Sequence, residues 1–82
     1  MDVLRVAILN FCLRRGSRSF CPSEVVRQMY PEDWKHFLHD IRNVMMAMYS
    51  EGLITVTQKG IPVSPHQLPQ GPVRISQVKK LI

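Results

Sequence analysis

One stretch constrains this chain more than any other: Pro31 to Gly60, PEDWKHFLHDIRNVMMAMYSEGLITVTQKG. Within it Phe37, Leu38, Ile41, Val44, Met45 and Met48 recur at the spacing that lines one face of an α-helix. Pro31, Glu32 and Asp33 suit a first helical turn, where proline loses nothing and acids meet the positive end of the helix dipole. The pattern predicts a long helix from about Glu32 to Glu51, presenting Lys35, His39, Arg42, Asn43 and Met46 on its far side. A break near Lys35 to Phe37, leaving Pro31 to His36 as a separate turn, fits the same residues. Gly52 stops the helix. Leu53 to Gln58 is β-branched and bounded by glycines, so it reads as a strand with Ile54 and Val56 on one face. Lys59-Gly60 then turns the chain.

The residues before this stretch supply two shorter helices. Asp2 is a good N-cap, because its carboxylate can accept from the first free backbone N–H groups. Leu4, Ala7, Ile8, Phe11 and Cys12 form one apolar stripe between Val3 and Arg15. Arg14 and Arg15 suit the negative end of that helix, and Gly16 ends it. Ser19-Phe20-Cys21 is a candidate short strand. Pro22-Ser23-Glu24 opens a second helix whose apolar face is Val25, Val26 and Met29. It closes at Tyr30, which Pro31 pushes out of the α region.

After the turn, Ile61-Pro62-Val63 is extended but cannot be a central strand, since Pro62 has no N–H for the ladder. Ser64 to Pro72 is proline-rich and irregular. Val73-Arg74-Ile75 reads as the returning strand, and residues 77–82 as a tail. The expectation is a single α+β domain over residues 1–82, with its core about 2–76. Three helices followed by a small antiparallel β-hairpin wing is the order of a winged helix-turn-helix.

Composition narrows the function. With 82 residues the chain holds one domain and a small core. No apolar run approaches the ~20 residues of a membrane span, and Met1 to Gly16 does not read as a signal peptide, so the expected home is the cytoplasm. Cys12 and Cys21 lack the spacing of a zinc or redox motif and read as thiols in a reducing compartment. The formal net charge is +5. Up to Glu51 there are seven bases against six acids; after Gly52 there are four bases and no acid. That imbalance suits a phosphate-facing wing.

Four blocks carry a family resemblance: Cys21-Pro22-Ser23-Glu24-Val25, Pro31-Glu32-Asp33-Trp34, Thr57-Gln58-Lys59-Gly60 and Gly71-Pro72-Val73-Arg74. In that order they resemble the CPSEV, PEDW, TQKG and GPIR-type blocks of a small bacterial family of unknown function, itself similar to winged helices. Val73 stands where that family usually has Ile. The resemblance implies a fold and a bacterial, cytoplasmic setting. It implies no activity.

The expected function is binding of nucleic acid, double-stranded DNA above all, in a transcription-related role. In helix-turn-helix domains the second motif helix enters the major groove. Here that is the third helix, so Lys35, His36, His39, Arg42 and Asn43 are the candidate readers. Arg can pair with guanine and Asn with adenine. Gln58, Lys59 and Arg74 would form the wing contact. Asp33 and Asp40 oppose this, because they would repel phosphate. The alternative is a protein-interaction or dimerisation module without DNA binding, using an apolar patch at Trp34, Met46 and Tyr49. His36, His39 and Asp40 are too few for a metal site of ordinary ligand count. No nucleophile with a base and orienter, no paired-carboxylate cleft and no phosphate loop is legible. No enzyme activity, cofactor or small-molecule substrate is therefore expected.

Overall fold

The computed structural model describes residues 2–78. These form an α+β fold in the order α1 (Val3–Arg15), α2 (Pro22–Met29), a 3-10 turn (Trp34–Phe37), α3 (Leu38–Ser50), β1 (Ile54–Gln58), β2 (Ile61–Pro62) and β3 (Arg74–Gln77). No helix among the described residues is long and apolar enough to cross a membrane. The tail bases Lys79 and Lys80 lie outside the described residues.

Local chemistry sets the helix ends. Asp2 Oδ1 accepts from the N–H groups of Leu4 and Arg5 at 3.0 and 3.4 Å. Gly16, at φ 63°, closes α1 with its N–H on the Cys12 carbonyl. Glu24 reaches back to the Cys21 N–H at 2.7 Å and fixes the start of α2. Gly52, at φ 79°, lets the Leu53 N–H return to the Met48 carbonyl and end α3.

The third helix is shorter than the long span expected from Glu32. Pro31 to Asp33 form a turn, Trp34 to Phe37 wind as 3-10, and the α-helix proper begins at Leu38. The variant with a break near Lys35 to Phe37 is the one observed. Tyr30 ends α2, and its ring stacks on Phe37 at 4.1 Å between centroids. That stack spans the turn and occupies Phe37 beside α2. The outward face also needs correcting. Met46, expected on it, is buried. α3 packs against α1, α2 and β1 together, so its covered face is wider than one stripe.

The expected two-stranded hairpin wing is instead a three-stranded antiparallel sheet of order β2-β1-β3. The Lys59-Gly60 turn, with both residues at positive φ, joins β1 to the two-residue edge strand β2. Pro62 sits on that edge, where its missing N–H is tolerated. β3 pairs along β1 with Val56 opposite Ile75 and runs to Gln77, past the expected end at Ile75. On its other side Ile75 exchanges both backbone hydrogen bonds with Phe20. The candidate strand at Ser19 to Cys21 is thus a single bridge.

The core lies between the helices and one sheet face. Ile8, Phe20, Val25, Val26, Ile41, Met45 and Met48 meet Ile54, Val56, Val73 and Ile75 there. Cys12 is buried and Cys21 half-buried, and both are free thiols. Burial pushes the Cys12 thiol up. Outside the core, Arg5 makes a bidentate pair with Glu51 at 2.9 and 2.5 Å and ties α1 to the end of α3.

Candidate nucleic-acid interface

The expected site residues separate into two groups. Lys35, His36, His39 and Asn43 are exposed. His39 and Asn43 fall four residues apart and so share one side of α3, while Lys35 and His36 lie on the 3-10 turn before it. Lys59 is exposed at the tip of the β1–β2 turn, at φ 53°. These five side chains are available to a ligand. Their surroundings are acidic, however: Glu32, Asp33 and Asp40 are also exposed. Lys35 and Arg42 are the two bases on this stretch, against those three exposed carboxylates.

Arg42, Gln58 and Arg74 are engaged inside the molecule. The Arg42 guanidinium donates to the carbonyls of Pro69 at 2.6 Å and Gly71 at 3.0 Å. The Gln58 amide donates to the carbonyls of Gln70 at 2.5 Å and Pro72 at 3.2 Å. Together they hold the 63–72 loop against α3 and β1. A loop this rich in proline has carbonyls in excess of N–H donors, and side chains must satisfy them. That excess is the signal from which their role was legible. Gly71, at φ 83°, also lies close to the Gln58 amide: a Cβ there would stand 3.6 Å from Nε2. Arg74 donates to the Ser19 hydroxyl at 3.1 Å and the Ser19 carbonyl at 2.9 Å, yet stays exposed.

The strongest basic feature lies largely outside the expected site and shares with it only Lys35 and Arg74. It begins at Arg74, which reaches Ser19. The Arg18 N–H meets the Arg15 carbonyl at 3.2 Å. Arg14, beside Arg15, donates to Gln28 at 3.2 and 3.3 Å with the Gln28 amide oxygen turned toward it. One residue before Gln28, Arg27 lies over the Trp34 ring at 4.1 Å, and Lys35 approaches the same ring at 5.6 Å. Arg74 and Arg15 thus meet at Glu24, Arg14 holds Gln28, and Arg27 and Lys35 flank Trp34; with Arg18 exposed on the connector, these six bases make up a basic belt drawn from four elements. Lys35 joins that belt to the outward side of α3. The one carboxylate bonded to the belt among the described residues is Glu24, paired with Arg15 at 2.8 Å. The Cys21 N–H, with the Arg15 and Arg74 charges, holds the Glu24 carboxyl below the usual carboxylate range.

Other chemistry finds little here. A cleft of about 490 Å³ is lined by Asp2, Tyr30, Phe37, Asp40 and Asn43 with three aliphatic neighbours. It places no base beside a nucleophile. A second, of about 390 Å³, lies under the 63–72 loop and has no charged residue in its lining. Among the described residues no three His, Cys, Asp or Glu side chains come together to hold a metal. The apolar patch expected at Trp34, Met46 and Tyr49 does not form. Met46 is buried, the Tyr49 hydroxyl donates to the Val63 carbonyl at 2.7 Å, and Arg27 covers Trp34.

The sequence model of one protein family, DUF3253, matches residues 2–78. The chain belongs to that family. DUF3253 is described as a protein of unknown function, so membership assigns no activity. The match takes in every element of the fold and the whole basic belt of this DUF3253 domain. No curated protein matches the chain.

Proposed function

We propose that this domain binds double-stranded nucleic acid, DNA in particular, as a winged helix. The observation that carries the reading is the belt from Arg74 through Arg18, Arg15, Arg14 and Arg27 to Lys35, with Glu24 as its one bonded acid. A row of guanidinium groups supported on packed helices suits phosphates, which each accept from planar donor forks. Phosphate contacts set register and supply most of the affinity. After Lys35 come His36 on the 3-10 turn and His39 and Asn43 on α3, and Asn can read adenine through paired hydrogen bonds. Lys59 adds a cation at the wing tip.

This assignment moves the phosphate contact from the wing to the end of α1 and to α2. Arg42 and Gln58 serve the loop instead. Arg74 does both, holding Ser19 and remaining exposed at the end of the belt. The free thiols suit a reducing compartment such as the cytoplasm.

The test is charge reversal on exposed arginines. Arg14→Glu with Arg18→Glu should weaken binding of a labelled mixed-sequence duplex by roughly 10²-fold or more at low salt, since two charges change sign and the net charge falls by about four units. Unchanged affinity in that variant overturns the belt as the contact.

A further inference from the structure

Helix α1 is apolar on two opposite faces. Leu4, Ile8, Phe11 and Cys12 are buried in the core. At about 3.6 residues per turn, Val6, Leu9 and Leu13 fall on the other side, with Val3 and Asn10 beside them. Leu13 is 75% exposed, Val3 57%, and Val6 and Leu9 38% each. A surface helix carries polar residues there, and one that is apolar all round is a helix covered on both sides.

We propose that this second face packs against the same face of another copy of the chain, with the two α1 helices antiparallel about a two-fold axis. Three features select a second copy as the occupant. The first is self-complementarity. Setting Leu13 against Val6 of the second copy brings Asn10 within about one 1.5 Å rise of its own mate along the helix axis. An amide both donates and accepts, so two Asn10 side chains related by two-fold symmetry satisfy each other. The second is area. The four stripe residues expose roughly 350–400 Å², the size of the largest apolar patch on a typical chain, which is often a contact surface. Two such stripes bury about 700–800 Å² together, which suits a weak pairing seen only at high concentration. The third is charge. Each copy carries +5, so the contact must lie where repulsion is small. Arg5, which flanks the stripe, is neutralised by Glu51. The opposed α1 dipoles also attract.

This pairing goes beyond the nucleic-acid reading and does not depend on it. It uses different residues from the Trp34, Met46 and Tyr49 patch. Two belts on one two-fold dimer would present paired basic surfaces to a duplex.

The experiment is sedimentation equilibrium without nucleic acid, from about 10 µM to about 1 mM protein. The expected mass rises from 9.5 kDa toward twice that value. Leu13→Lys places a charge in the seam and should hold the mass at 9.5 kDa throughout. Leu13 is exposed, so its circular dichroism and melting should match the parent. Asn10→Asp sets like charges beside each other and should weaken association by about tenfold or more. A parent that stays monomeric at the highest concentration overturns the proposal. So does association that survives Leu13→Lys. Loss with Leu13→Lys but not with Asn10→Asp overturns the antiparallel pairing.

Discussion

The Arg42 guanidinium on α3 donates to the carbonyl of Pro69, twenty-seven residues away, at 2.6 Å. A residue that looked like a base reader on an outward helical face is the main tether of the 63–72 loop. Arg42→Met keeps much of the packing of the side chain and removes its donors. Charged hydrogen bonds contribute about 1.5–3 kcal/mol net, and half-burial places this one toward the lower end. Urea denaturation should show a loss of about 1–2 kcal/mol, with faster amide exchange in the loop. Nucleic-acid affinity should change little once folding is matched.

The pairing of Glu24 with the Cys21 N–H and Arg15 makes stability depend on pH. Its carboxyl is held below the ordinary value, so the folded state binds that proton less readily than the unfolded state does. The stabilisation is present above about pH 4.3, the usual Glu value, and is lost as pH falls through the lower folded value. Glu24→Gln should therefore melt below the parent at neutral pH, and the gap should shrink on acidification. A gap that stays constant from neutral to acid pH would contradict the assignment.

Lys59 separates charge from backbone geometry. It occupies a left-handed position that lysine adopts at a cost and asparagine adopts easily. Lys59→Asn should keep or raise the melting temperature. If Lys59 contacts phosphate, the same substitution should reduce the salt slope of duplex binding by about one unit. An unchanged slope removes the wing tip from the interface and leaves the belt.

The legible parts of this fold were local. Asp2, Gly16, Pro22, Pro31 and Gly52 punctuate the chain through their own backbone preferences, and the ends of α1, α2 and α3 fall close to where they imply, except the start of α3, which lies at Leu38 and not near Pro31. β1 could be read because Ile54 and Val56 alternate with threonines. The strand count could not. β2 is only two residues long, and the end of β3 depends on its register with β1. The site was harder because its contacts are long-range. Arg74 finds Ser19 across fifty-five residues of chain, and nothing in its immediate neighbours announces that bond. The belt draws on α1, the connector, α2, the 3-10 turn and β3, so only folding assembles it. The second apolar face of α1 was present in the sequence, but reading one buried stripe leaves the opposite one unweighed.

If the belt binds duplex phosphates, the parent protein's affinity for a mixed-sequence duplex must fall steeply with salt. The six belt cations less the Glu24 charge leave about five to neutralise phosphate, which sets a log–log slope of about −4 to −5. Between about 50 and 200 mM salt the affinity should then fall roughly 10²- to 10³-fold. No binding at the lower salt, or a slope near zero, would rule the belt out as a phosphate-binding surface.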